Sequence, residues 1–202
     1  MTKNDNQRTR LTKLLFKNSL IKLLHKKTIY QITVSELCTE AELNRSTFYK
    51  YYGNVHDILE ELAEETLAKG TQCIQEIEAA GVDYGKEPLN RLLCDVKENK
   101  DIYQLLLNNN VNDDFPAKML KNTIDFFKDK AGPAINDVEM SEYTFEYLVS
   151  GCFSVIQSWL NGPMTESPSE ISNHIYELSV CILTHMNMMP EEYSKQGTTR
   201  TQ

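Results

Sequence analysis

The chain has 202 residues, is 41% hydrophobic and 25% charged, and carries a formal net charge of −8 at pH 7. This composition is ordinary for a soluble protein, and the length is enough for one small and one larger domain. No apolar run approaches the roughly 20 residues that span a bilayer, and no apolar signal-peptide core follows the polar N-terminus. We therefore expect a cytoplasmic protein that does not enter a membrane.

The charges are divided unevenly along the chain. Residues 1–58 hold 10 basic and 5 acidic side chains, a net of +5, whereas the remainder holds 11 basic and 24 acidic side chains, a net of −13. A basic segment on an acidic body suits a polyanion that is bound at one end only. Chance asymmetry stays open as the alternative, because the charge division alone does not exclude it.

The cysteines are odd in number and widely scattered, and no two of them have CxxC spacing. This pattern predicts neither a disulfide framework nor a zinc ribbon. We interpret them as reduced, mostly buried thiols. They are Cys38, Cys73, Cys94, Cys152 and Cys181.

Apolar residues recur at helical spacing between residues 8 and 27 and predict the first helix. Lysines take the remaining positions, and a solvated face is the better interpretation for most of them. The basic leader before this helix fits a disordered tail and a phosphate-binding arm equally well. The apolar stripe is Leu11, Leu14, Leu15, Leu20, Ile21, Leu23 and Leu24, the lysines are Lys13, Lys17, Lys22, Lys26 and Lys27, and the leader carries Lys3, Arg8 and Arg10.

Two short helices joined by a tight turn come next. Thr33 and Glu36 have the spacing of a capping box. In this motif the Thr33 hydroxyl accepts a hydrogen bond from the Glu36 backbone amide, and the Glu36 carboxylate accepts one from the Thr33 backbone amide. The helix 34–41 leads through a turn at 42–44 into a second short helix, 45–51. That second helix crowds cations, hydroxyls and tyrosines onto one exposed surface, which indicates a binding partner.

The rest of the chain is also predicted to be helical. Asn54 and Asp57 are expected to cap a long helix. No segment shows sustained alternation with period two between hairpin turns, so we predict an all-α fold of about nine helices. The later helices are predicted over 55–80, 88–98, 101–107, 116–130, 142–160 and from 168 onward.

The last two helices are long, apolar and joined by a short capped turn, which predicts an αα-hairpin. Two hairpins from different subunits would form a four-helix bundle, and two-fold homodimers are the commonest assemblies. A hairpin packed inside one chain is the alternative. The residues assigned to a dimer interface are Val155, Trp159, Ile175, Leu178 and Ile182.

Residues 33–59 resemble the helix-turn-helix of the TetR family of bacterial transcriptional regulators. The matching features are Thr33 at the start of the first short helix, the turn Ala41-Glu42-Leu43, the recognition helix from Arg45 to Tyr52, and Asn54 before Ile58-Leu59. Segments 98–103, 158–162 and 166–168 are similar to the branch that includes dihydroxyacetone-kinase regulators. The resemblance thus covers nearly the whole chain.

Two positions depart from the family pattern. Glu42 stands where the family has a glycine, so it must adopt or avoid a left-handed backbone conformation at some cost. Val55 stands where many members have a lysine that contacts phosphate. Phosphate anchoring would then fall to the backbone amides of that helix N-terminus and to His56.

The resemblance implies a three-helix DNA-binding domain over 1–58, a larger helical effector and dimerisation domain over 59–188, and a disordered tail over 189–202. It implies a homodimer that binds a palindromic operator in double-stranded DNA, acts as a repressor and is released by an effector. No cofactor and no catalytic residue are implied. The DNA-binding residues are Thr33, Ser35, Arg45, Ser46, Thr47, Tyr49, Lys50, Tyr51 and His56.

Within the recognition helix, Arg45 is the expected base reader, because a guanidinium bonds bidentately to guanine. A phosphate contact or a surface ion pair is the alternative for Arg45. Phe48 and Tyr52 lie four residues apart on one face and should belong to the core.

Other interpretations stay open. A protein partner could replace the small-molecule effector, and the protein could activate rather than repress. His174, Cys181 and His185 share a face of the last helix and could form a metal sensor, although packed interface residues are the favoured interpretation. Discrimination requires binding experiments with metabolites and zinc.

A catalytic site and an effector pocket are two further kinds of site that a chain of this length could contain. The sequence has no Gly-rich phosphate loop, no GxSxG and no HExxH, so an enzyme finds no support. Aromatic residues of the C-terminal part could line an effector pocket, although aromatics more often fill a core. The residues chosen for this pocket are Tyr103, Phe126, Phe127 and Tyr147.

Overall fold

The computed structural model describes residues 3–107, 115–131 and 138–185, and within these ranges the fold is all-α, as predicted. None of the helices in these ranges is long and apolar enough to cross a bilayer. The predicted tail, 189–202, lies outside the described residues. The nine described helices are α1 (Lys3–Leu24), α2 (Val34–Glu40), α3 (Arg45–Tyr49), α4 (Val55–Tyr84), α5 (Lys86–Glu98), α6 (Lys100–Leu107), α7 (Phe115–Ala131), α8 (Val138–Asn161) and α9 (Pro168–His185), with a 3₁₀ turn at Ile29–Gln31.

The chain divides into two compact units. Unit 1 comprises Met1–Ala68 with Asp101–Pro116, and unit 2 comprises Lys69–Lys100 with Ala117–Gln202. The domain boundary expected at residue 58 therefore falls later, inside α4, and α6 joins the N-terminal helices. Ion pairs made by the first turns of α4 give the physical reason for the later boundary, because they tie these turns to α1.

The core of unit 1 is aromatic. Phe16 of α1 meets Phe48 and Tyr52 edge to face, with ring centroids 5.4 and 6.1 Å apart. Leu37 and Ile58 are fully buried in the same unit. Each edge-to-face pair adds about 0.5–1.5 kcal/mol beyond area burial. The prediction that Phe48 and Tyr52 belong to the core is confirmed.

Helix α1 buries only part of the predicted apolar face. Leu20, Ile21 and Leu23 are buried as predicted, but Leu11, Leu14 and Leu15 are exposed. Lys17, one of the lysines for which a solvated face was generally expected, is only 7% exposed. The Lys17 ammonium lies 2.9 Å from the Glu61 carboxylate and 2.7 Å from that of Glu65, both on α4. Local spacing could not reveal these partners, because they lie more than forty residues away in the chain.

In unit 2, α9 packs against α5 and α8. The start of α9 is a complete capping box: the Ser167 hydroxyl accepts the Glu170 amide at 3.2 Å, and the Glu170 carboxylate accepts the Ser167 amide at 2.7 Å. These hydrogen bonds hold the pKa of Glu170 below its usual value. The predicted cap of the last helix is therefore confirmed.

The residues assigned to a dimer interface are placed differently from one another. Trp159 and Ile175 are buried inside their own chain, and the Trp159 indole donates to the Glu166 carbonyl at 3.1 Å. Val155 and Ile182 are half-buried. Leu178 is 51% exposed. Trp159 and Ile175 thus fill the subunit's own core, and Leu178 is the member of the set that faces outward.

Candidate nucleic-acid interface

Helix α2 begins at a side-chain cap. The Thr33 hydroxyl accepts the Glu36 amide at 3.2 Å, as predicted. The Glu36 carboxylate, expected to reach back to the cap amide, is bound by the Lys27 ammonium instead. This hydrogen bond lowers the pKa of Glu36. One of the two hydrogen bonds expected in the capping box is therefore replaced by an ion pair between Glu36 and Lys27, which lies just after α1.

The turn after α2 contains the first departure from the family pattern. Glu42 has φ 54°, the left-handed conformation that a glycine adopts without steric cost. The Leu43 amide donates to the Cys38 carbonyl at 2.9 Å and the Glu42 amide to that of Thr39 at 3.2 Å. These two bonds define a Schellman motif. The motif sets the exit direction of α2 and hence the direction of α3.

Helix α3 begins at a cap that the sequence analysis overlooked. The Asn44 Oδ1 atom accepts the Thr47 amide at 2.7 Å, the Thr47 hydroxyl at 2.8 Å and the Ser46 hydroxyl at 2.7 Å. Asn44 directly before the first helical residue is the local signal of this cap. Both hydroxyls use their hydrogens internally, so each presents lone pairs outward.

The outer surface of α3 carries the remaining predicted side chains. Arg45 and Lys50 are exposed, and Tyr49 is 60% exposed. The Tyr49 ring rests edge-on against buried Phe48, with centroids 5.3 Å apart. The Lys50 ammonium lies over the half-buried Tyr51 ring, 5.3 Å from its centroid. An aromatic core thus holds a cationic and phenolic surface in a fixed orientation.

The N-terminus of α4 is already capped, which corrects one expectation. The Asn54 side chain accepts the amides of His56 and Asp57 at 2.8 and 3.3 Å. The Asp57 carboxylate accepts the Gly53 and Asn54 amides at 2.7 and 3.2 Å. The amides of His56 and Asp57 are therefore occupied, and an anionic carboxylate lies beside the helix start. This arrangement makes the N-terminus of α4 a poorer phosphate anchor than expected and leaves the His56 side chain as the better candidate.

Tyr30 is a candidate that the sequence analysis missed. It is 86% exposed, and its ring centroid lies 5.3 Å from that of His56. The contact joins the 3₁₀ turn before α2 to the first turn of α4. An aromatic residue in a polar linker three positions before the Thr33 cap was the signal that could have identified it.

The predicted DNA-binding residues all belong to unit 1, and each is exposed or half-buried. Thr33 and Ser35 occupy the start of α2, and the Ser35 carbonyl accepts the Thr39 hydroxyl at 2.9 Å. His56 lies in the first turn of α4. The nine residues therefore come from three consecutive helices of one compact unit and from the positions directly flanking them.

The aromatic residues proposed for an effector pocket are divided between the two units. Tyr103 is buried in unit 1, Phe126 is half-buried, and Tyr147 is 70% exposed. The side chain of Phe127 lies outside the described side chains. A cavity of about 350 Å³ does exist in unit 2, but Tyr103, Phe126 and Tyr147 do not line it. Its walls are mainly aliphatic, and their aromatic members are Phe145, Phe153 and Tyr176.

The metal-sensing alternative gains no geometric support. His174 and Cys181 are exposed, and the side chain of His185 lies outside the described side chains. Over the part of the chain that the structure describes, no three potential ligands come together to hold a metal ion. All five cysteines are free. Cys38 and Cys73 are buried, but Cys181 is exposed, contrary to expectation for that residue.

Comparisons with known proteins agree with this geometry. The TetR_C_8 family, described as the transcriptional regulator C-terminal region, matches residues 86–180. The uncharacterized HTH-type transcriptional regulator YxbF of Bacillus subtilis (strain 168) is 23% identical over 166 residues, which are 80% of this chain. The chain spans only 43% of the length of that relative.

Solved structures show the same fold. A TetR transcriptional regulator from Streptococcus agalactiae 2603V has a TM-score of 0.58 and 18% identity, covering 87% of this chain and 97% of its own. The dihydroxyacetone kinase operon activator DhaS has a TM-score of 0.58 and 19% identity, covering 88% and 97%. The fatty acid degradation regulator FadR from Bacillus halodurans has a TM-score of 0.55 and 14% identity, covering 84% and 94%.

The matched C-terminal family, the curated relative and the helix-turn-helix of unit 1 point to one class. Residues 86–180 thus match the C-terminal region of a family of transcriptional regulators, and the fold is similar to that of TetR regulators.

Proposed function

We propose that the chain is a sequence-specific DNA-binding repressor that occupies a palindromic operator as a homodimer and is released by an effector. The observation that supports this proposal best is the exposed surface of α3. Arg45 and Tyr49 project from a helix whose inner residue, Phe48, is fully buried, and exposed Lys50 caps the C-terminal end of that helix. In a helix-turn-helix such a helix enters the major groove.

The hydrogen bonds within α3 distinguish the residues that can donate to DNA from those that can accept. Arg45 is free to donate to a guanine edge. The hydroxyl hydrogens of Ser46 and Thr47 are directed at Asn44. Phosphate oxygens only accept, so these two hydroxyls suit base amino groups, which donate, better than phosphates.

Backbone contacts fall to the residues around α3. Thr33 and Ser35 lie where the first helix of the motif crosses the DNA backbone. Lys50 and Tyr51 follow the recognition helix, and Tyr51 carries the phenol that we assign to phosphate. His56 replaces the missing lysine at α4, and its packing against Tyr30 extends the contact surface.

A single recognition helix makes too few contacts for a specific site, so a second subunit is required. The two half-sites should lie about 34–36 Å apart, or a multiple of that distance. Leu178 on α9 is the exposed apolar residue that we assign to the subunit contact. An effector that binds one conformation of the dimer better than the other would shift the protein between DNA-bound and free states.

Activation is the second candidate, because DhaS, which shares the fold, is named as an operon activator. In that case a protein partner could replace the small molecule. A reporter gene placed behind the operator separates the two signs of regulation. Loss of the regulator raises expression if it represses and lowers expression if it activates.

The test of DNA recognition compares two exposed tyrosines. Fluorescence anisotropy is measured on inverted repeats from the DNA upstream of the coding region. We expect Tyr49→Ala to weaken specific binding at least about tenfold, in the range of the 1–3 kcal/mol carried by a base contact. Tyr147→Ala, on the exposed part of α8 in unit 2, is the control and should bind normally. Equal affinity of both variants would contradict the assignment of α3.

A further inference from the structure

The cavity in unit 2 is lined by residues of five helices. Ile77 of α4, Leu92 of α5, Met119 of α7, Val149 of α8 and Leu183 of α9 each contribute to its wall. Its volume of about 350 Å³ lies within the range of small-ligand sites, at the lower end of roughly 300–1,000 Å³. All of these helical segments belong to unit 2, so the site is complete within one compact unit.

The charges of the wall discriminate between ligand classes. Among the described residues that line the cavity, Glu78 alone carries a formal charge, and none is a lysine, arginine or histidine. A buried anion needs a cation or several donors to replace its hydration. An anionic ligand would instead meet a carboxylate and a wall of aliphatic side chains.

The wall also carries the phenol of Tyr176 and two aliphatic hydroxyls, and the two aliphatic hydroxyls do not compensate for the lack of cations. The Thr123 hydroxyl donates to the Met119 carbonyl at 2.9 Å, and the Ser179 hydroxyl to the Ile175 carbonyl at 2.8 Å. Each hydroxyl has a single hydrogen, and in both residues it serves the residue's own helix. The two aliphatic hydroxyls can therefore accept a hydrogen bond from a ligand but do not offer one to an anion.

The thiols of the wall behave as apolar groups. Burial raises the pKa of Cys73 to about 12, and burial also raises the pKa of Cys152. The Cys152 sulfur lies 3.6 Å from the Ser179 hydroxyl oxygen. Both thiols are therefore protonated near neutral pH, and they form part of the wall rather than nucleophiles.

We infer that this cavity binds a small, uncharged, predominantly apolar molecule and rejects anions of the same size. Removal of apolar surface from water supplies the affinity. The missing cations supply the selectivity. The inference rests on the proposed function in one respect, since it gives the chemical class of the effector that would release the operator.

The test uses two fluorescent probes that share one aromatic frame. N-phenylnaphthylamine is uncharged, and anilinonaphthalenesulfonate adds a sulfonate to it. Both are titrated into the full-length chain by fluorescence, with calorimetry to count sites. We expect the uncharged probe to bind once per chain and at least about tenfold more tightly, a difference of about 1.4 kcal/mol. Equal or tighter binding of the sulfonate would overturn the inference.

Substitutions in the cavity wall test whether the probe binds in the cavity. Cys152→Phe fills part of the cavity and should weaken the uncharged probe several-fold. Thr123→Lys adds a cation to the wall and should strengthen binding of the sulfonate, whereas Asn122→Lys, on the exposed face of the same helix, should not. An unfolded Cys152→Phe variant would leave the charge comparison of the two lysine variants to decide. Identical sulfonate binding by these two would also overturn the inference.

Operator binding is measured on the same preparations. If the uncharged probe binds and no upstream DNA does, the ligand class stands and the proposed regulator function fails. If DNA binds normally and the uncharged probe does not bind, the function stands and the inference about the cavity fails. The two failures are therefore distinguishable.

Discussion

The conformation of one residue, Glu42, fixes the geometry of the turn that separates the two DNA-binding helices. A non-glycine residue in the left-handed region costs about 1–2 kcal/mol. The Schellman hydrogen bonds and the burial of the neighbouring helices hold it there. The same Glu42 side chain is exposed, so the cost arises from the backbone and brings no visible contact in return.

Replacing Glu42 with glycine should therefore stabilise the fold. We expect a gain of about 0.5–1 kcal/mol in urea unfolding, after subtraction of glycine's larger unfolded-state entropy. Glu60→Gly, at an exposed interior position of α4, is the matched control and should lose about 1 kcal/mol. Operator affinity should not change. A Glu42→Gly variant as unstable as the control would show that the left-handed conformation is not strained.

Individual residues also show which structural roles could be predicted from the sequence. Caps at Thr33, Asn54 and Ser167 were predictable, because each depends on neighbours within three positions. The core role of Phe48 followed from its four-residue spacing to Tyr52. The burial of Lys17 was not predictable, because its carboxylate partners are distant in the chain. Glu42 was an intermediate case. Its departure from the family's glycine was visible in the sequence, but whether its backbone would adopt the left-handed conformation was not.

At the scale of elements, an ion cluster joins α1 to α4. Glu61 accepts from Lys13 at 2.8 Å and from Lys17 at 2.9 Å, and Lys17 also pairs with Glu65. Burial of Glu61 would raise its pKa, but the two lysines hold it below the usual value. Burial and the Glu61 charge raise the pKa of Tyr52 well above its usual range. The cluster therefore ties α4 to α1, the helix whose Phe16 packs against Phe48 and Tyr52.

The depressed pKa of Glu61 gives this contact a defined pH dependence. Its stabilisation is fully present above the unfolded value of about 4.5 and is lost as pH falls through the lower folded value. Glu61→Gln should cost about 1–3 kcal/mol at neutral pH, less than a fully buried pair because Glu61 is partly exposed. The difference from wild type should shrink in denaturant titrations below that pH. Glu64→Gln, exposed on the same helix, is the control.

Two outcomes would contradict this account of the cluster. A constant difference between wild type and Glu61→Gln across the acid range would mean that the Glu61 charge does not stabilise the fold. An equal loss in Glu64→Gln would mean that any carboxylate of α4 has the same effect. Either result would remove the ion cluster as the reason why the first turns of α4 belong to unit 1.

At the scale of the whole molecule, the two helices expected to join the subunits carry apolar side chains on both an inner and an outer face. Ile175 and Trp159 point into their own chain, whereas Leu178 points out. Apolar spacing along α9 could not separate these roles, because both faces carry aliphatic side chains. Packing against α5 decides which face is internal.

Leu178→Glu should therefore break a dimer without unfolding its subunits. An exposed leucine at a subunit contact loses its apolar burial, and two like charges meet near a two-fold axis. Sedimentation should show a shift to monomer, and operator affinity should fall at least about tenfold, with helical content unchanged. Tyr84→Glu places the same charge on another exposed apolar position of unit 2 and should stay dimeric. A dimeric Leu178→Glu variant would move the interface away from this face of α9.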